Sequence, residues 1–277
     1  MKQIKDKFDL TNRPSVITGA AGLLGKQHSI ALAQKGSIVI MTDIDLESLQ
    51  VAKEEVRKIT DHQKVYAYCM DVTQEQSIQE LRSELISEGI QPSILVNNAA
   101  IDPTMKDPSQ NQENHLERFP LDEWNRQINV GLTGAFLCSR IFGNDMAEKK
   151  HGVILNIASD LSVFAPDQRI YKKANLKKEE QPLKPVTYSV IKTGLIGLTR
   201  YLATYWADRN VRANALSPGG IYNGQDEEFT KKLSNLIPLG RMAYEDDYIG
   251  AIQFLCSDAS SYMNGQNIVI DGGRSVW

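Results

Sequence analysis

The chain has 277 residues, of which 42% are hydrophobic and 23% are charged, and its formal net charge is −3. This length and composition favour one large domain with a complete core. The near balance of 31 basic and 34 acidic residues excludes the strongly basic surface that is typical of proteins binding nucleic acid or anionic membranes.

The first ten residues, MKQIKDKFDL, are too polar for a signal peptide, and no apolar run approaches the roughly 20 residues that a spanning helix needs. We therefore expect a cytoplasmic protein. Cys69, Cys138 and Cys256 lie far apart in apolar contexts, which favours buried thiols over disulfides. The four histidines lack the spacing of metal ligands, so no metal is predicted.

Short β-branched segments alternate with longer helical patterns along the chain. The predicted order is strand 15–18, helix 24–35, strand 37–43, helix 46–59, strand 64–71, helix 74–88, strand 93–99, helix 121–149, strand 152–159, helix 188–208, strand 211–218 and strand 266–272. The early strands are almost wholly apolar, as are strands covered by helices on both faces. The sequence therefore predicts an α/β protein with a doubly wound parallel sheet, a Rossmann fold forming a single domain over residues 1–277. Polar stretches near 101–120 and 165–186 are longer than compact connections need and are interpreted as insertions.

A glycine-spaced loop, TGAAGLLG at 18–25, lies between the first predicted strand and the first predicted helix. Such a loop lets backbone N–H groups and a helix N-terminus face a phosphate. Asp43, at the end of the second strand, can bind ribose hydroxyls and repel a 2'-phosphate, and its neighbours Thr42 and Ile44 supply no cation. The pattern predicts a dinucleotide site that favours NAD(H) over NADP(H). The alternative is a tight turn followed by a helix-capping aspartate.

A YxxxK pattern, Tyr188 to Lys192, opens the helix that follows a strand ending in Ser159. Lys192 lies one turn after Tyr188 on the same face, where its charge favours the phenolate form of a group whose free pKa is about 10. This pair suits proton transfer to and from an oxygen during hydride transfer. For an isolated YxxxK pattern, an ordinary amphipathic helix face is the alternative interpretation.

At this point nearly the whole chain resembles the short-chain dehydrogenase/reductase family, in its compact single-domain branch. The motifs that carry the resemblance are the glycine loop, Asp71-Val72, Asn97-Asn98-Ala99-Ala100, Ser159, Tyr188 with Lys192, Pro218-Gly219 and Asp271-Gly272-Gly273. The resemblance implies an NAD-dependent oxidoreductase that interconverts an alcohol and a carbonyl. Tyr188 would be its acid/base, Lys192 the electrostatic partner and ribose ligand, and Ser159 the group that orients the substrate oxygen.

The resemblance also implies a set of cofactor contacts and an oligomer. The cofactor contacts are Gly19, Gly22, Leu23, Leu24, Gly25, Asp43, Ile44, Asp71, Val72, Asn98, Ala99, Ala100, Tyr188, Lys192, Pro218, Gly219, Gly220, Ile221 and Asn223. A homodimer or homotetramer would form through the helices at 124–149 and 188–208. The apolar faces of these helices are equally compatible with ordinary core packing.

Three positions depart from the family pattern. The loop reads TGxxGxxG instead of TGxxxGxG because Leu23 replaces the middle glycine; the spacing is similar to the extended branch, for whose larger C-terminal region the chain is too short. Gly131, seven residues after Trp124, replaces the catalytic asparagine. Asn129 lies about 200° away around an α-helix and cannot simply substitute, whereas a water held by the freed backbone could. Asn223 replaces a threonine and can still pair with the carboxamide.

Tyr171 competes with Tyr188, because it follows Ser159 at the dozen-residue spacing usual in the family. Four residues after Tyr171 comes Asn175, which carries no charge, so we favour Tyr188. Residues 165–186 are then interpreted as an insertion that covers the site rather than as a solvated loop. The candidate substrate contacts are Asp160, Arg169, Tyr171 and Lys172.

The polar insertions favour a hydroxylated small-molecule substrate, such as a sugar or sugar derivative, over a lipid or steroid. The alternatives are a 3-oxoacyl thioester reductase and a cofactor-binding scaffold or sensor with little catalysis.

Overall fold

A parallel sheet of seven strands lies at the centre of residues 6–101 and 113–277, which are the residues that a computed structural model describes. The strands are β1 (Pro14–Thr18), β2 (Ile38–Asp43), β3 (Val65–Cys69), β4 (Ile94–Asn97), β5 (Gly152–Ile157), β6 (Val211–Pro218) and β7 (Asn267–Ile270). Their order in the sheet is β3-β2-β1-β4-β5-β6-β7. The chain changes direction across the sheet between β1 and β4, and α/β proteins bind ligands at such a switch point. The predicted doubly wound, single-domain Rossmann fold is confirmed.

Helices cover both faces of the sheet. They are α1 (Leu23–Ala33), α2 (Leu46–Thr60), α3 (Glu75–Ser87), α4 (Leu121–Ile128), α5 (Gly134–Glu148), α6 (Val186–Tyr205), α7 (Glu227–Ser234) and α8 (Ile249–Cys256). Among the described residues, no helix is both long enough and apolar enough to cross a membrane.

The apolar side chains of the strands contribute to two separate hydrophobic cores, one on each face of the sheet. Ile17 of β1 packs with α1, α2 and α8 on one face, and the preceding Val16 packs with α3, α5 and α6 on the other. Successive strand residues point to opposite faces, so a sheet covered on both sides needs apolar side chains at nearly every position. This requirement explains the unbroken apolar runs in the sequence.

The helix boundaries differ from the prediction in two places. The predicted helix 121–149 is divided by a π-helical turn, Asn129–Thr133, into α4 and α5. The angle of about 200° between Asn129 and position 131 assumed an α-helix and does not hold in this wider turn. Sequence analysis missed α7 and α8 because each has only eight residues, too few for a clear helical period.

A buried polar network ties the centre of the sheet to α5 and α6. Asn97 donates hydrogen bonds from Nδ2 to Ser139 Oγ at 2.9 Å and to Asn156 Oδ1 at 2.8 Å. Asn156 in turn donates to Thr199 Oγ1 at 2.8 Å. A buried polar group that loses its partner costs about 1–3 kcal/mol, so this network fixes how β4, β5 and the two helices align beside the switch point.

Candidate active site

A cavity of about 1060 Å³ lies at the carboxyl ends of the strands. It is large enough for a dinucleotide and a small substrate together. Every predicted cofactor contact lines it. These residues are Gly19, Gly22, Leu23, Leu24 and Gly25 after β1, Asp43 and Ile44 around the end of β2, Asp71 and Val72 after β3, Asn98, Ala99 and Ala100 after β4, Tyr188 and Lys192 on α6, and Pro218, Gly219, Gly220, Ile221 and Asn223 around the end of β6.

The glycine loop after β1 packs too tightly for side chains at two positions. Gly19 has φ +64°, and a Cβ there would lie 2.8 Å from the Cα of Ala99. A Cβ at Gly25 would lie 2.2 Å from the carbonyl oxygen of Gly19. Gly22 is exposed and has no such clash, so its missing side chain leaves the N-terminus of α1 open to the cavity. These residues therefore fit a bound pyrophosphate, and Leu23 lines the same cavity.

Asn98 fastens the glycine loop to the end of β4. Its Nδ2 donates to the carbonyl oxygens of Thr18 at 3.0 Å and Gly19 at 3.1 Å. The backbone N–H groups of Asn98 and Ala99 both donate to Thr18 Oγ1 at 3.0 Å. The two loops that meet at the switch point are therefore held as one unit.

Asp43 is not the cap of α2. That role belongs to Asp45, whose carboxylate accepts a hydrogen bond from the N–H of Ser48 at 3.1 Å. Asp43 instead accepts from the N–H of Ala21 in the glycine loop at 3.1 Å. Its carboxylate therefore lies at the point where the cavity wall passes from β1 to β2, beside the 68%-exposed Ile44.

Tyr188 and Lys192 lie one turn apart at the start of α6, and both line the cavity with Ser159. The Nζ of Lys192 is 5.6 Å from the centre of the Tyr188 ring and donates a hydrogen bond to the carbonyl oxygen of Ile157 at 2.9 Å. Lys192 and Ser159 are each 5% exposed, whereas Tyr188 is half-buried. The site thus combines a reachable phenol with a cation that is held in place by the end of β5.

Ser159 is bonded to a buried ion pair that the sequence did not predict. Its Oγ donates to Asp160 Oδ1 at 2.9 Å, and Asp160 Oδ2 lies 3.1 Å from Nη1 of Arg274. Burial raises the pKa of the Asp160 carboxyl, and the charge of Arg274 opposes that rise. Both side chains of the pair line the cavity. Arg274 lies 114 positions farther along the chain, and no sequence pattern connects the two.

Two glutamine side chains bridge the two sides of the insertion at 165–186 by hydrogen bonds to the backbone. The Gln168 side chain accepts from the N–H of Lys184 at 2.9 Å and donates to its carbonyl oxygen at 3.0 Å. The Gln181 side chain makes the same pair of bonds with the backbone of Lys173, at 2.8 and 2.9 Å. We call these two pairs the glutamine rungs.

The insertion packs against α7 and lines the cavity. Tyr171 stacks on Phe229 with ring centres 5.4 Å apart, and Ile170 packs against Leu233. Tyr171 and Lys172, two of the candidate substrate contacts, line the cavity. Arg169 is not among the described cavity residues; its guanidinium pairs with Asp167 at 2.8 Å, so we no longer count it as a substrate contact.

The other insertion, near 101–120, falls mostly at 102–112, outside the described residues. Its final part contains a short 3₁₀ turn at Leu116–Arg118.

Gly131 is buried in the π-helical turn against α6. A Cβ at this position would lie 2.8 Å from Cγ2 of Ile191, the neighbour of Lys192. An asparagine would therefore not fit here unless Ile191 moved. The side chain of Ile191 thus occupies the space that an asparagine side chain would need.

Comparisons with known proteins find relatives that match nearly the whole chain. The sequence profile of the family described as enoyl-(acyl carrier protein) reductase matches residues 19–275. An NAD-dependent glycerol dehydrogenase of Listeria innocua is 30% identical, with 97% of this chain and 96% of the relative covered. The 3-oxoacyl-acyl-carrier-protein reductase FabG of Thermotoga maritima is 32% identical, with 96% and 99% covered.

A solved structure shares the fold over the same span. It is a gluconate 5-dehydrogenase of Burkholderia cenocepacia in complex with NADP and tartrate, with a TM-score of 0.82, 26% identity and 98% of each chain covered. The cavity at the switch point, the profile match and these relatives together lead to one conclusion. The chain belongs to the short-chain dehydrogenase/reductase family, oxidoreductases that act on CH–OH groups with a nicotinamide cofactor.

Proposed function

We propose that the protein is an NAD(H)-dependent oxidoreductase that interconverts a secondary alcohol and a carbonyl group on a small polyhydroxylated substrate. The observation that carries this proposal is that Tyr188, Lys192 and Ser159 share one cavity with the glycine loop. A phenol, a buried cation and a hydroxyl beside a dinucleotide cradle supply the proton transfer and the orientation that alcohol oxidation needs.

In this mechanism Tyr188 takes the proton from the substrate hydroxyl during oxidation and returns it during reduction. Lys192 favours the phenolate because a nearby positive charge lowers the pKa of an acid. Ser159 orients the substrate oxygen: its hydroxyl, which donates to Asp160 in this structure, would turn to donate a hydrogen bond to that oxygen, whose proton goes to Tyr188. The nicotinamide ring, when bound, accepts or supplies the hydride.

The preference for NAD(H) is supported by Asp43 at the edge of the glycine loop. Its carboxylate would repel a 2'-phosphate, and the adjacent cavity residue, Ile44, carries no charge to offset that repulsion. The Listeria relative is NAD-dependent, whereas the Burkholderia structure contains NADP. NADP(H) therefore remains the competing cofactor in the test.

A polyol or sugar acid is the substrate class that fits the polar side chains of the cavity. Asp160, Arg274 and Lys172 line the cavity and offer both donors and acceptors to hydroxyl or carboxylate groups. Two of the relatives act on compounds of this kind, glycerol and gluconate. The alternative substrate is a 3-oxoacyl thioester, which is supported by the Thermotoga relative.

We also propose a homodimer or homotetramer that forms through α5 and α6. Phe136 on α5 is 44% exposed, and Tyr201 and Tyr205 on α6 are 62% and 60% exposed. The two tyrosines stack at 5.5 Å, forming an aromatic patch of the kind enriched at interfaces. Light scattering should show an oligomer that Tyr201→Asp/Tyr205→Asp weakens; a wild-type monomer would exclude the assembly.

The decisive experiment measures turnover and cofactor binding in the same proteins. Wild type, Tyr188→Phe and the exposed control Tyr262→Phe are assayed with NAD and NADP on glycerol and gluconate, and with NADH and NADPH on a 3-oxoacyl thioester. We expect Tyr188→Phe to lose turnover while it retains NADH binding, and Tyr262→Phe to behave as wild type. Turnover that survives Tyr188→Phe would overturn the assignment. NADH binding without turnover of any substrate would favour the scaffold or sensor.

A further inference from the structure

A second lysine, Lys184, lies against the ring of Tyr188. Its Nζ is 3.9 Å from the ring centre, closer than the 5.6 Å of Lys192. A cation within about 6 Å of a ring centre is attracted by the electron density of the ring face. That density increases when the phenol loses its proton, so the attraction favours the phenolate.

We infer that Lys184 is a positioning residue that acts through Tyr188: together with Lys192, it favours the ionised form of the phenol. This inference rests on the proposed role of Tyr188 as the acid/base. Lys192 belongs to the same helix as the tyrosine, whereas Lys184 belongs to the insertion. The insertion would therefore contribute to the chemistry as well as covering the cavity.

The backbone of Lys184 is held in place by the first glutamine rung. Both its N–H and its carbonyl oxygen are bonded to the Gln168 side chain. Pro185 follows and caps α6, so the residue lies between a fixed rung and the first turn of the helix. Lys184 itself is half-buried and lines the cavity. Its ammonium group is therefore tethered at a short distance from the phenol instead of extending into solvent.

Other charged groups face the same cavity from elsewhere in the fold. They are Asp43 at the end of β2, Asp71 after β3, Arg126 of α4, Asp160 beyond β5, Lys172 and Lys173 of the insertion, Glu228 and Lys232 of α7 and Arg274 near the C-terminus. Arg126, Lys232 and Arg274 are each within 3.1 Å of a carboxylate, on Glu123, Glu228 and Asp160 respectively, which offsets their charge. Asp226, also in the cavity wall, caps α7. In the described part of the chain, Lys184 and Lys192 are the cations placed over the ring.

The test is a direct titration of the phenol that needs no substrate. The ultraviolet absorbance of phenolate is followed against pH, and the curve of Tyr188→Phe is subtracted from that of wild type, because the chain has ten tyrosines. The same subtraction is made in Lys184→Met, in Lys184→Arg and in Lys178→Met. Lys178 is an exposed lysine of the same insertion, so its variant carries the same charge change.

We expect Lys184→Met to raise the pKa of Tyr188 by about one unit, because an opposite charge within about 4–6 Å shifts a pKa by one to three units. Lys184→Arg should keep the pKa near that of wild type, and Lys178→Met should leave it unchanged. A pKa that does not move in Lys184→Met, or that moves equally in Lys178→Met, would overturn the inference. Circular dichroism of each variant excludes unfolding as the cause.

Kinetics separate this inference from the proposed function. If a substrate is turned over, the pH profile of kcat should move to higher pH in Lys184→Met. A change in KM alone, with the pH profile unmoved, would make Lys184 a substrate-binding residue and overturn the inference. If no alcohol or carbonyl is turned over while the Tyr188 pKa still responds to Lys184, the proposed function fails and the electrostatic coupling stands.

Discussion

The carboxylate of Asp43 accepts a hydrogen bond from the backbone N–H of Ala21 at 3.1 Å, joining the end of β2 to the glycine loop. The residue that we propose to select the cofactor therefore also holds the phosphate cradle. Replacing it with alanine would remove the charge and loosen the loop at the same time. A test of cofactor choice needs a substitution that separates these two effects.

Asp43→Asn separates them, because an amide oxygen still accepts from Ala21 but carries no charge. We expect the preference of NADH over NADPH to fall about tenfold, or ~1.4 kcal/mol, with NADH binding largely retained. Adding Ile44→Arg supplies a cation for a 2'-phosphate and should shift the preference further towards NADPH. Fluorescence titration of both cofactors measures the ratio. Asp45→Asn is the control, and a wild-type preference for NADPH would contradict the assignment.

Gly131→Asn is expected to destabilise the protein by about 1–3 kcal/mol, because the new side chain would meet Ile191 at overpacked distances. Ile191→Ala empties that space, so the double variant should lose less stability than the sum of the two single variants. Urea unfolding of the four proteins gives the coupling free energy. If the losses in the free energy of unfolding are strictly additive, the asparagine side chain does not occupy the space beside Ile191. If Gly131→Asn folds and leaves the pH–rate profile unchanged, the missing asparagine does not matter to proton transfer.

Arg274→Met should destabilise the protein by about 3 kcal/mol at neutral pH, because it leaves the carboxylate of Asp160 buried without its cation. Burial already raises the pKa of Asp160, and losing Arg274 raises it further. An acid whose pKa is raised by folding stabilises the protein below its unfolded pKa of about 4 and loses that contribution as pH rises through the folded pKa. The loss in Arg274→Met should therefore be smaller near pH 4 than at pH 7. Arg274→Lys is the charge-preserving control, and a loss that is the same at both pH values would exclude this mechanism.

His28 should make the protein sensitive to mild acid. Complete burial lowers the pKa of its imidazole to about 3, and neither ring nitrogen has a well-formed hydrogen bond within the described residues. In the unfolded chain the imidazole of His28 binds a proton near pH 6.5, whereas in the folded chain it stays neutral. The free energy of unfolding therefore falls as pH falls from about 6.5 towards 3. We expect about 2 kcal/mol of this loss by pH 5. His28→Leu should lessen it in chemical denaturation at pH 5 and pH 7, with His151→Leu, at an exposed position, as the control. Equal losses in wild type and His28→Leu would show that other groups cause the acid sensitivity.

The cavity-lining features that the sequence also singles out are local ones. The glycine loop, Asp43 and the pair Tyr188–Lys192 are each defined by a short spacing within one element or at its end. The Rossmann order of the sheet then brings these ends together, because the carboxyl ends of parallel strands share one edge. The sequence also predicted the strands, because a sheet with helices on both faces needs strands that are apolar at nearly every position.

The features that the sequence did not predict either depend on contacts between distant residues or lie in short or irregular segments. Arg274 meets Asp160 only because the C-terminal segment returns beside the end of β5. The π-helical turn at Asn129–Thr133 has no distinctive composition, and α7 is short and polar. Lys184 has no sequence signal of its own, because it lies in the polar insertion, although it comes four residues before the tyrosine that it contacts. Each of these features either involves a residue that is remote in the chain or lies in a short or irregular segment.

The glutamine rungs hold the two sides of the insertion together below the tip of the loop. Lys173 and Gln181 hold the two sides of the loop together, so residues 174–180 form a tip whose ends stay close whatever the length between them. Doubling such a tip costs only about 0.6 kcal/mol in closure entropy. The tip is therefore a natural place for the chain to tolerate insertions or deletions, and for a fluorescent label to be attached, while the inner rung of Gln168 and Lys184 remains intact.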